Sequence, residues 1–414
     1  MTVYSVWPYF VCMVALLAIA AAPLFEGADT PPNPGRNRVS SLDGLRGFLA
    51  FGVFFHHTSI YNQYLMDGRF DGKWYLPPSQ FYSLIGQVGV ALFFMITGYL
   101  FWSRMISARG RPDWLALYTG RVFRIGPLYV FAAVIMLSLV FSHTDHLRVP
   151  LLVLAKQVGE WLSLGFFGNA SLNEDPKAAI VLPVVWTLKF EWAFYISLLA
   201  TSFAARSAKT HLLFTAAGLL ACLAYLAFWN VELSVVASKP VCATLFFTGM
   251  VCASLKKSHL AANLPNGIAS ILVIVLTGAV FVLFPSANHA LPIILMGLAF
   301  FLIVSGCDVF GLLASRPARR LGNISYGIYL LHPLLLRFLF SLQPVVVFAL
   351  KSPLQYWATV FLSAVLLVVI ATAAHVWIER PGIELGKRVN TKLVAQSGRM
   401  KSALTKILAS QRAS

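Results

Sequence analysis

The chain has 414 residues, of which 58% are hydrophobic and 11% are charged. Soluble domains usually carry about 45–50% apolar and about 25% charged residues, so this chain could not hide its apolar surface in water. Lipid solvates such surfaces, and we therefore expect one polytopic membrane domain. The net charge of +17 would suggest a nucleic-acid partner for a soluble protein, but in a membrane protein it is typical of basic cytoplasmic loops.

Eleven apolar runs are candidate spans, since a transmembrane helix needs about 20 mostly apolar residues. The first run, residues 4–25, has no Lys or Arg before its apolar stretch, so we interpret it as a retained helix rather than a signal peptide. The other ten runs begin near Asp43, Leu84, Gly120, Val181, His211, Pro240, Gly267, His289, Asn323 and Leu354. The predicted fold is all-α: a polytopic transmembrane helical bundle of ten core spans plus one extra N-terminal helix.

These runs divide the chain into three regions. Residues 1–40 hold the extra helix and a Pro-rich linker, residues 41–385 form the membrane domain, and residues 386–414 form a basic tail. The tail is either a helix on anionic lipid or a disordered basic segment. A further apolar piece, residues 151–167, is interrupted by polar residues, so we expect it to be interfacial or re-entrant.

Lys and Arg set the orientation, because cytoplasmic loops carry an excess of both. With the start of the Asp43 helix in the cytoplasm, the cytoplasmic segments hold 22 basic residues and the opposite side holds 8. These segments are residues 26–42, 103–124, 205–210, 255–266, 308–322 and 379–414. This topology explains most of the net charge, predicts a cytoplasmic C-terminus and leaves no reason to expect a nucleic-acid partner.

The first of three charged clusters at membrane depth lies on the Asp43 helix. Charges inside a bilayer are costly and usually face a protein interior, where they mark function. Arg46 and His57 lie within about 20° of one helix face and about 16 Å apart along the axis, with Asp43 about 40° away. Asp43 also suits a helix N-terminus. We therefore predict a functional role for His57, whereas His56 points elsewhere.

The second cluster contains Glu191 in an apolar run, four residues before Tyr195 on the same helix face. Lys189 is too near in sequence to pair with Glu191, because residues two apart on a helix do not face each other. We therefore expect Glu191 to find a partner on the Asp43 helix.

The third cluster is the pair Arg121 and Arg124, three residues apart. Arginines at a cytoplasmic boundary are an ordinary topology signal, but two on one helical face also suit a phosphate group, because guanidinium pairs well with phosphate oxygens. The spacing alone favours neither interpretation. A weaker polar stripe of Ser325, Tyr329 and His332 lines a cavity or joins helices. The five cysteines show no metal-ligand spacing, so we expect no metal site.

Six segments, in this order, resemble acyltransferase family three, the integral membrane acyltransferases that acylate cell-surface glycans and lipids. They are Leu42-Asp43-Gly44-Leu45-Arg46-Gly47 with His57, Gly89-Val90-Ala91-Leu92-Phe93-Phe94-Met95-Ile96-Thr97-Gly98-Tyr99-Leu100, Arg121-x-x-Arg124 with Pro127 and Tyr129, Trp186-x-Leu188-x-x-Glu191-x-x-Phe194-Tyr195, Ile324-Ser325-Tyr326-Gly327-Ile328-Tyr329-Leu330-Leu331-His332-Pro333, and Ile378-Glu379-Arg380-Pro381. Together they cover about residues 40–385, nearly the whole chain. Thr97 and Tyr99 replace the commoner Ser and Phe of this family.

The resemblance implies a ten-helix bundle that takes an acyl group, usually acetyl, from cytoplasmic acyl-coenzyme A and delivers it to a sugar hydroxyl. His57 and Arg46 fall on the family's key His and Arg, and Arg121 and Arg124 on the Arg-x-x-Arg thought to hold coenzyme A. The implied partners are membrane lipid, acyl-coenzyme A as donor substrate and a carbohydrate or glycolipid acceptor, with no tightly bound cofactor. Many relatives add a hydrolase-like domain, so a handover here would need a separate extracytoplasmic protein or none.

Our hypothesis assigns the donor phosphates to Arg121 and Arg124, and the chemistry to His57 as general base or brief acyl carrier. Three residues tune or orient the reacting groups: Asp43, Arg46 and Glu191. Four residues line the substrate's route: Tyr195, Ser325, Tyr329 and His332. A transporter or flippase of a polar solute, or a non-catalytic membrane scaffold, remains the alternative.

We expect the protein in a bacterial inner (plasma) membrane, with its acceptor site on the extracytoplasmic side. Residues 61–82 and 142–180 would build part of that site. Six of their side chains suit contact with sugars, and suit a membrane-interface aromatic belt equally well: Tyr61, Tyr64, Trp74, Tyr75, Trp161 and Asn169.

Overall fold

The computed structural model describes residues 2–29, 39–67, 76–142, 146–167, 171–174, 182–228, 238–258, 260 and 264–412, with only the backbone given for residues 67 and 397–412. The described residues form fifteen α-helices. They are α1 (Trp7–Ala21), α2 (Ser40–Asp67), α3 (Gln80–Ser107), α4 (Trp114–Ser142), α5 (Leu151–Leu162), α6 (Trp186–Thr201), α7 (Ala208–Phe228), α8 (Lys239–Lys257), α9 (Asn266–Leu283), α10 (Ala290–Ser305), α11 (Arg316–Asn323), α12 (Ser325–Leu339), α13 (Gln343–Leu350), α14 (Pro353–Ala374) and α15 (Arg380–Arg412). One π-helical turn, His375–Glu379, joins α14 to α15.

The all-α prediction is confirmed, and every predicted core run contains a helix. Five helical stretches of the described chain are long and apolar enough to cross a membrane: α3, α4, α7, α9 and Pro353–Gln396, which runs from α14 into α15. A sixth is α12 with α13, if these two helices, bent by 92°, form one span. The predicted count of ten is not confirmed, because some runs form helices shorter than the about 20 residues of a full span. Helices α6 and α10, for example, have 16 residues each.

The chain folds back into the bundle after α4. Helix α5 has 12 residues, too few to cross a bilayer. The carbonyl of Trp161, in α5, accepts a hydrogen bond from the Tyr129 hydroxyl of α4 at 2.8 Å. The carbonyl of Leu164 accepts one from Nε1 of Trp192, in α6, at 3.0 Å. The segment therefore reaches the middle of α4 and the side of α6, as a re-entrant loop does.

Glycines allow α2 to pack closely on the segment around α11. A Cβ atom on Gly322 would lie 1.6 Å from the carbonyl oxygen of Asp43, and one on Gly44 would lie 2.0 Å from that of Leu313. Small residues let helix backbones approach this closely. The glycines at the start of α2 therefore serve packing. The charged side chains of this region, Asp43 and Arg46, are half-buried.

An arginine of α11 holds the extra N-terminal helix. Arg320 is 1% exposed and donates hydrogen bonds of 2.8 to 3.1 Å to the carbonyls of residues 20–22, where α1 ends and helical donors are missing. Its Nε and Nη2 atoms donate to both carboxylate oxygens of Asp29, at 2.8 and 3.0 Å. The bond from Arg320, followed by that from Arg316, lowers the pKa of Asp29 from its ordinary 3.8 to about 2.

Candidate active site

Two histidines from different helices meet inside the bundle. Nδ1 of His57, on α2, lies 2.6 Å from Nε2 of His332, on α12, within hydrogen-bond distance. His332 is fully buried, whereas His57 is half-buried. Nowhere in the described part of the chain do three or more His, Cys, Asp or Glu side chains form a group that could hold a metal ion. The sequence pointed to both histidines but not to their pairing, because 275 residues separate them.

The neighbouring His56 has a packing role. Its Nδ1 atom lies 2.7 Å from the carbonyl oxygen of Tyr82, near the start of α3. Gly86 leaves room for the ring, since a Cβ atom there would lie 2.4 Å from Cγ of His56. His56 therefore joins α2 to α3, and its ring centroid lies 5.2 Å from that of His57.

Arg121 of α4 packs against two aromatic rings. Its guanidinium carbon lies 4.2 Å from the centroid of the Phe101 ring and 5.0 Å from that of Tyr195. Both distances fall within the about 6 Å range of cation–π contacts. The stacking restrains the plane of the guanidinium, and its N–H groups point along that plane, where they can pair with an anion. Arg124, one turn further, is half-buried.

Glu191 of α6 accepts a hydrogen bond from the hydroxyl of Tyr195, one turn further along the same helix. The expectation of a partner from α2 is corrected here, because a pair four residues apart within α6 makes the bond. The ring of Tyr195 is fully buried and lies 4.5 Å, centroid to centroid, from that of Phe101. Arg121 and Glu191 therefore meet at the same tyrosine.

Tyr329 of α12 connects the histidine pair to α6. Its hydroxyl lies 3.3 Å from Oγ1 of Thr187, and its ring centroid lies 6.3 Å from that of His332. Thr187 lies one turn before Glu191 on the same helix, α6. A series of polar side chains thus runs through the bundle, and we call it the polar line. Its members, in order, are Arg121, Tyr195, Glu191, Thr187, Tyr329, His332 and His57.

The other predicted site residues lie where α2 and α12 begin. Asp43 and Arg46 are half-buried in the first two turns of α2. Ser325 is the first residue of α12 and is 1% exposed, and its hydroxyl oxygen has no hydrogen-bond partner among the described residues. Buried polar groups are almost always paired, so this hydroxyl is suited to contact a bound ligand.

Two features that pack against α4 were not predicted. The hydroxyl of Tyr326 donates to the carbonyl of Ile125 at 3.0 Å, which fixes α4 one residue beyond Arg124. In the π-turn, Nδ1 of His375 lies 3.0 Å from Oε2 of Glu379, which is 2% exposed. Their spacing of four residues could have indicated this pair. Single π-turns inside helices are frequent at functional sites.

Three of the aromatic residues that suited either sugar contact or a membrane-interface aromatic belt are buried. Tyr61 and Tyr64 are 2% and 1% exposed, and Trp161 is 0% exposed. The ring of Tyr61 stacks on that of Phe340, with centroids 5.7 Å apart. These side chains belong to the packed core, because the residues that the sequence pattern placed in loops lie in the last turns of helices α2 and α5. The other three lie outside the described residues: Trp74, Tyr75 and Asn169.

Apolar helices of this length indicate an integral membrane protein, and ionisable side chains inside such a bundle are candidates for function. A family model described as an acyltransferase domain, that of acyltransferase family three, matches residues 39–375. The match covers most of the chain, which therefore belongs to this family. No curated protein and no solved structure matches the chain. Family membership supports acyl transfer as the reaction.

Proposed function

We propose that the protein transfers an acyl group, usually acetyl, from acyl-coenzyme A to a hydroxyl of a cell-surface or lipid-linked carbohydrate. The observation that carries this proposal is the polar line, which connects a stacked arginine at one end to a histidine pair at the other. A transporter would also need a polar path, but the family's domain is an acyltransferase. A scaffold would have no need for buried ionisable groups, which are costly in a membrane.

Arg121 and Arg124 bind the phosphate groups of coenzyme A in this proposal. The planar fork of a guanidinium matches phosphate oxygens and pairs with two of them at once. Stacking on Phe101 and Tyr195 restrains Arg121 before the donor arrives, so binding costs less side-chain freedom. The excess of Lys and Arg around this end of α4 favours a cytoplasmic location, where acyl-coenzyme A is present.

His57 performs the proton transfer. The long, thin pantetheine arm follows the polar line until its thioester reaches this side chain. The acceptor hydroxyl loses its proton to His57 while its oxygen bonds to the thioester carbonyl carbon. The carbon–sulfur bond then breaks, and the proton passes from His57 to the departing thiolate. In the alternative sequence, His57 itself carries the acyl group between donor and acceptor.

The remaining site residues position the groups along this path. Asp43 and Arg46 set the charge at the start of α2, and His57 lies about three to four turns further along the same helix. Glu191 keeps Tyr195 in place beneath Arg121. The hydroxyls of Ser325 and Tyr329, and the ring of His332, line the route.

We place the protein in a bacterial inner (plasma) membrane with its C-terminus in the cytoplasm, on the strength of the charge bias of its loops. The acceptor then approaches from the far side, either directly or through a separate extracytoplasmic protein. Its partners in this setting are membrane lipid, acyl-coenzyme A and the carbohydrate or glycolipid acceptor.

The proposal is tested by incubating the purified protein with labelled acetyl-coenzyme A and an extract of the source organism's envelope glycans and glycolipids. We expect acceptor-dependent release of the coenzyme A thiol, and a loss of about 10²–10⁴-fold in His57→Ala, because a positioned base is worth that much. The matched control is His289→Ala, which removes an exposed histidine. Label that stays on wild-type protein without acceptor supports the acyl-carrier sequence. A normal rate in His57→Ala, or no transfer by the wild type, would contradict the proposal.

A further inference from the structure

The backbone of α12 holds the ring of His332. Nδ1 of His332 lies 3.0 Å from the carbonyl oxygen of Ile328, four residues earlier. The next residue is Pro333, inside the helix, which has no N–H group and so deprives the Tyr329 carbonyl of its helical donor. The His-Pro sequence therefore places an imidazole where the helix offers an extra acceptor.

These contacts determine which nitrogen of each ring carries a proton. A backbone carbonyl can only accept, so Nδ1 of His332 is protonated, and in a neutral ring Nε2 is then the acceptor. This Nε2 faces Nδ1 of His57 at 2.6 Å, so Nδ1 of His57 is the donor. In neutral His57 the lone pair consequently resides on Nε2.

The arrangement of the two rings supports this assignment of hydrogen-bond donors and acceptors. Their centroids lie 4.9 Å apart and their planes differ by 20°, so the facing nitrogens meet edge to edge in nearly one plane. Phe54 packs against His332 with ring centroids 6.2 Å apart, and His332 is fully buried. In the resting pair, an additional proton would place a positive charge at membrane depth beside a third imidazole, that of His56, whose ring centroid lies 5.2 Å from that of His57. Such a charge is unfavourable.

We propose that His332 is a positioning residue that locks His57 in the tautomer with a basic Nε2. This inference rests on the proposed function, because it identifies the atom that takes the acceptor's proton or receives the acyl group. An oriented carboxylate has the same effect on histidine in serine hydrolases. Here a neutral ring replaces the carboxylate, which avoids burying a negative charge at membrane depth.

Solid-state NMR of protein labelled with ¹⁵N-histidine in liposomes reads the tautomer without any enzymatic assay. The difference between wild type and His57→Ala assigns the signals of His57 among the nine histidines. We expect protonated Nδ1 and unprotonated Nε2 in the wild type, and a shift towards protonated Nε2 in His332→Phe, which fills the space but cannot accept. Protonated Nε2 in the wild type, or an unchanged tautomer in His332→Phe, would overturn the inference.

Kinetics then connect the tautomer to the reaction. We expect kcat to fall about 10²–10⁴-fold in His332→Phe, with little change in KM for acetyl-coenzyme A, because the ring acts on His57 and not on the donor. His332→Gln, whose amide oxygen can accept from Nδ1 of His57, should recover most of kcat. Equal loss in both variants with normal coenzyme A binding would overturn the inference. Absence of transfer by the wild type would instead contradict the proposed function, and the NMR result would still decide the tautomer.

Discussion

Replacing Arg121 measures how much of the donor's binding energy depends on one stacked guanidinium. Arg121→Ala removes charge-assisted hydrogen bonds to a phosphate, worth about 1.5–3 kcal/mol, which weakens binding about 10- to 150-fold. Phe101→Leu keeps the charge but removes the ring at 4.2 Å. A cation–π contact at a partly exposed site is worth about 0.5–1 kcal/mol, so this variant should weaken binding about 2- to 5-fold.

Calorimetric titration of detergent-solubilised protein with coenzyme A is the assay. Arg111→Ala is the matched control, because it removes an exposed arginine from the loop that precedes α4. Arg121→Lys keeps the charge but loses the planar fork, and we expect it to resemble Arg121→Ala more than wild type. If Arg111→Ala weakened binding as much as Arg121→Ala, general electrostatic attraction would explain the result and the stacked site would be wrong.

Three further predictions concern packing, pH and the polar line. Gly322→Ala puts a methyl group 1.6 Å from a carbonyl oxygen, so it should cost more than the about 1–3 kcal/mol of ordinary overpacking and lower Tm, whereas Gly267→Ala meets no atom within 4 Å and should be neutral. Thermal stability should fall as pH decreases from 3.8 to about 2, because Asp29 takes up its proton at higher pH in the unfolded than in the folded chain, and Asp29→Asn should lack this step. Tyr195→Phe keeps the stacked ring but removes the donor to Glu191, so kcat should fall while coenzyme A affinity, measured by calorimetry, stays near normal.

The positions of the core helices could be predicted because each contains a local apolar run. The predicted starts at Asp43, Leu84 and Pro240, for example, fall within α2, α3 and α8. The number of complete spans could not, because helix length depends on where tertiary packing ends a helix. The 92° bend between α12 and α13, for example, has no clear signal in the apolar pattern.

The composition of the candidate site could be predicted only in part. The sequence pointed to His57, Arg121 and Glu191, because ionisable residues in apolar runs are costly in a membrane and usually have a function. Their partners are set by the fold: His332 is distant in sequence, and the ring of Phe101 beneath Arg121 looks like any core aromatic. Long-range contacts of this kind have no periodicity that a single sequence reveals.

Affinity labelling tests the central claim most directly, namely that a donor held by Arg121 extends along the polar line to His57. Bromoacetyl-coenzyme A carries an alkylating carbon close to the position of the thioester carbonyl and loses bromide when a nitrogen attacks it. We expect peptide mass spectrometry to find one label per protein on His57, blocked by excess coenzyme A and slowed in Arg121→Ala. Labelling of another residue, or labelling that coenzyme A does not block, would contradict the account.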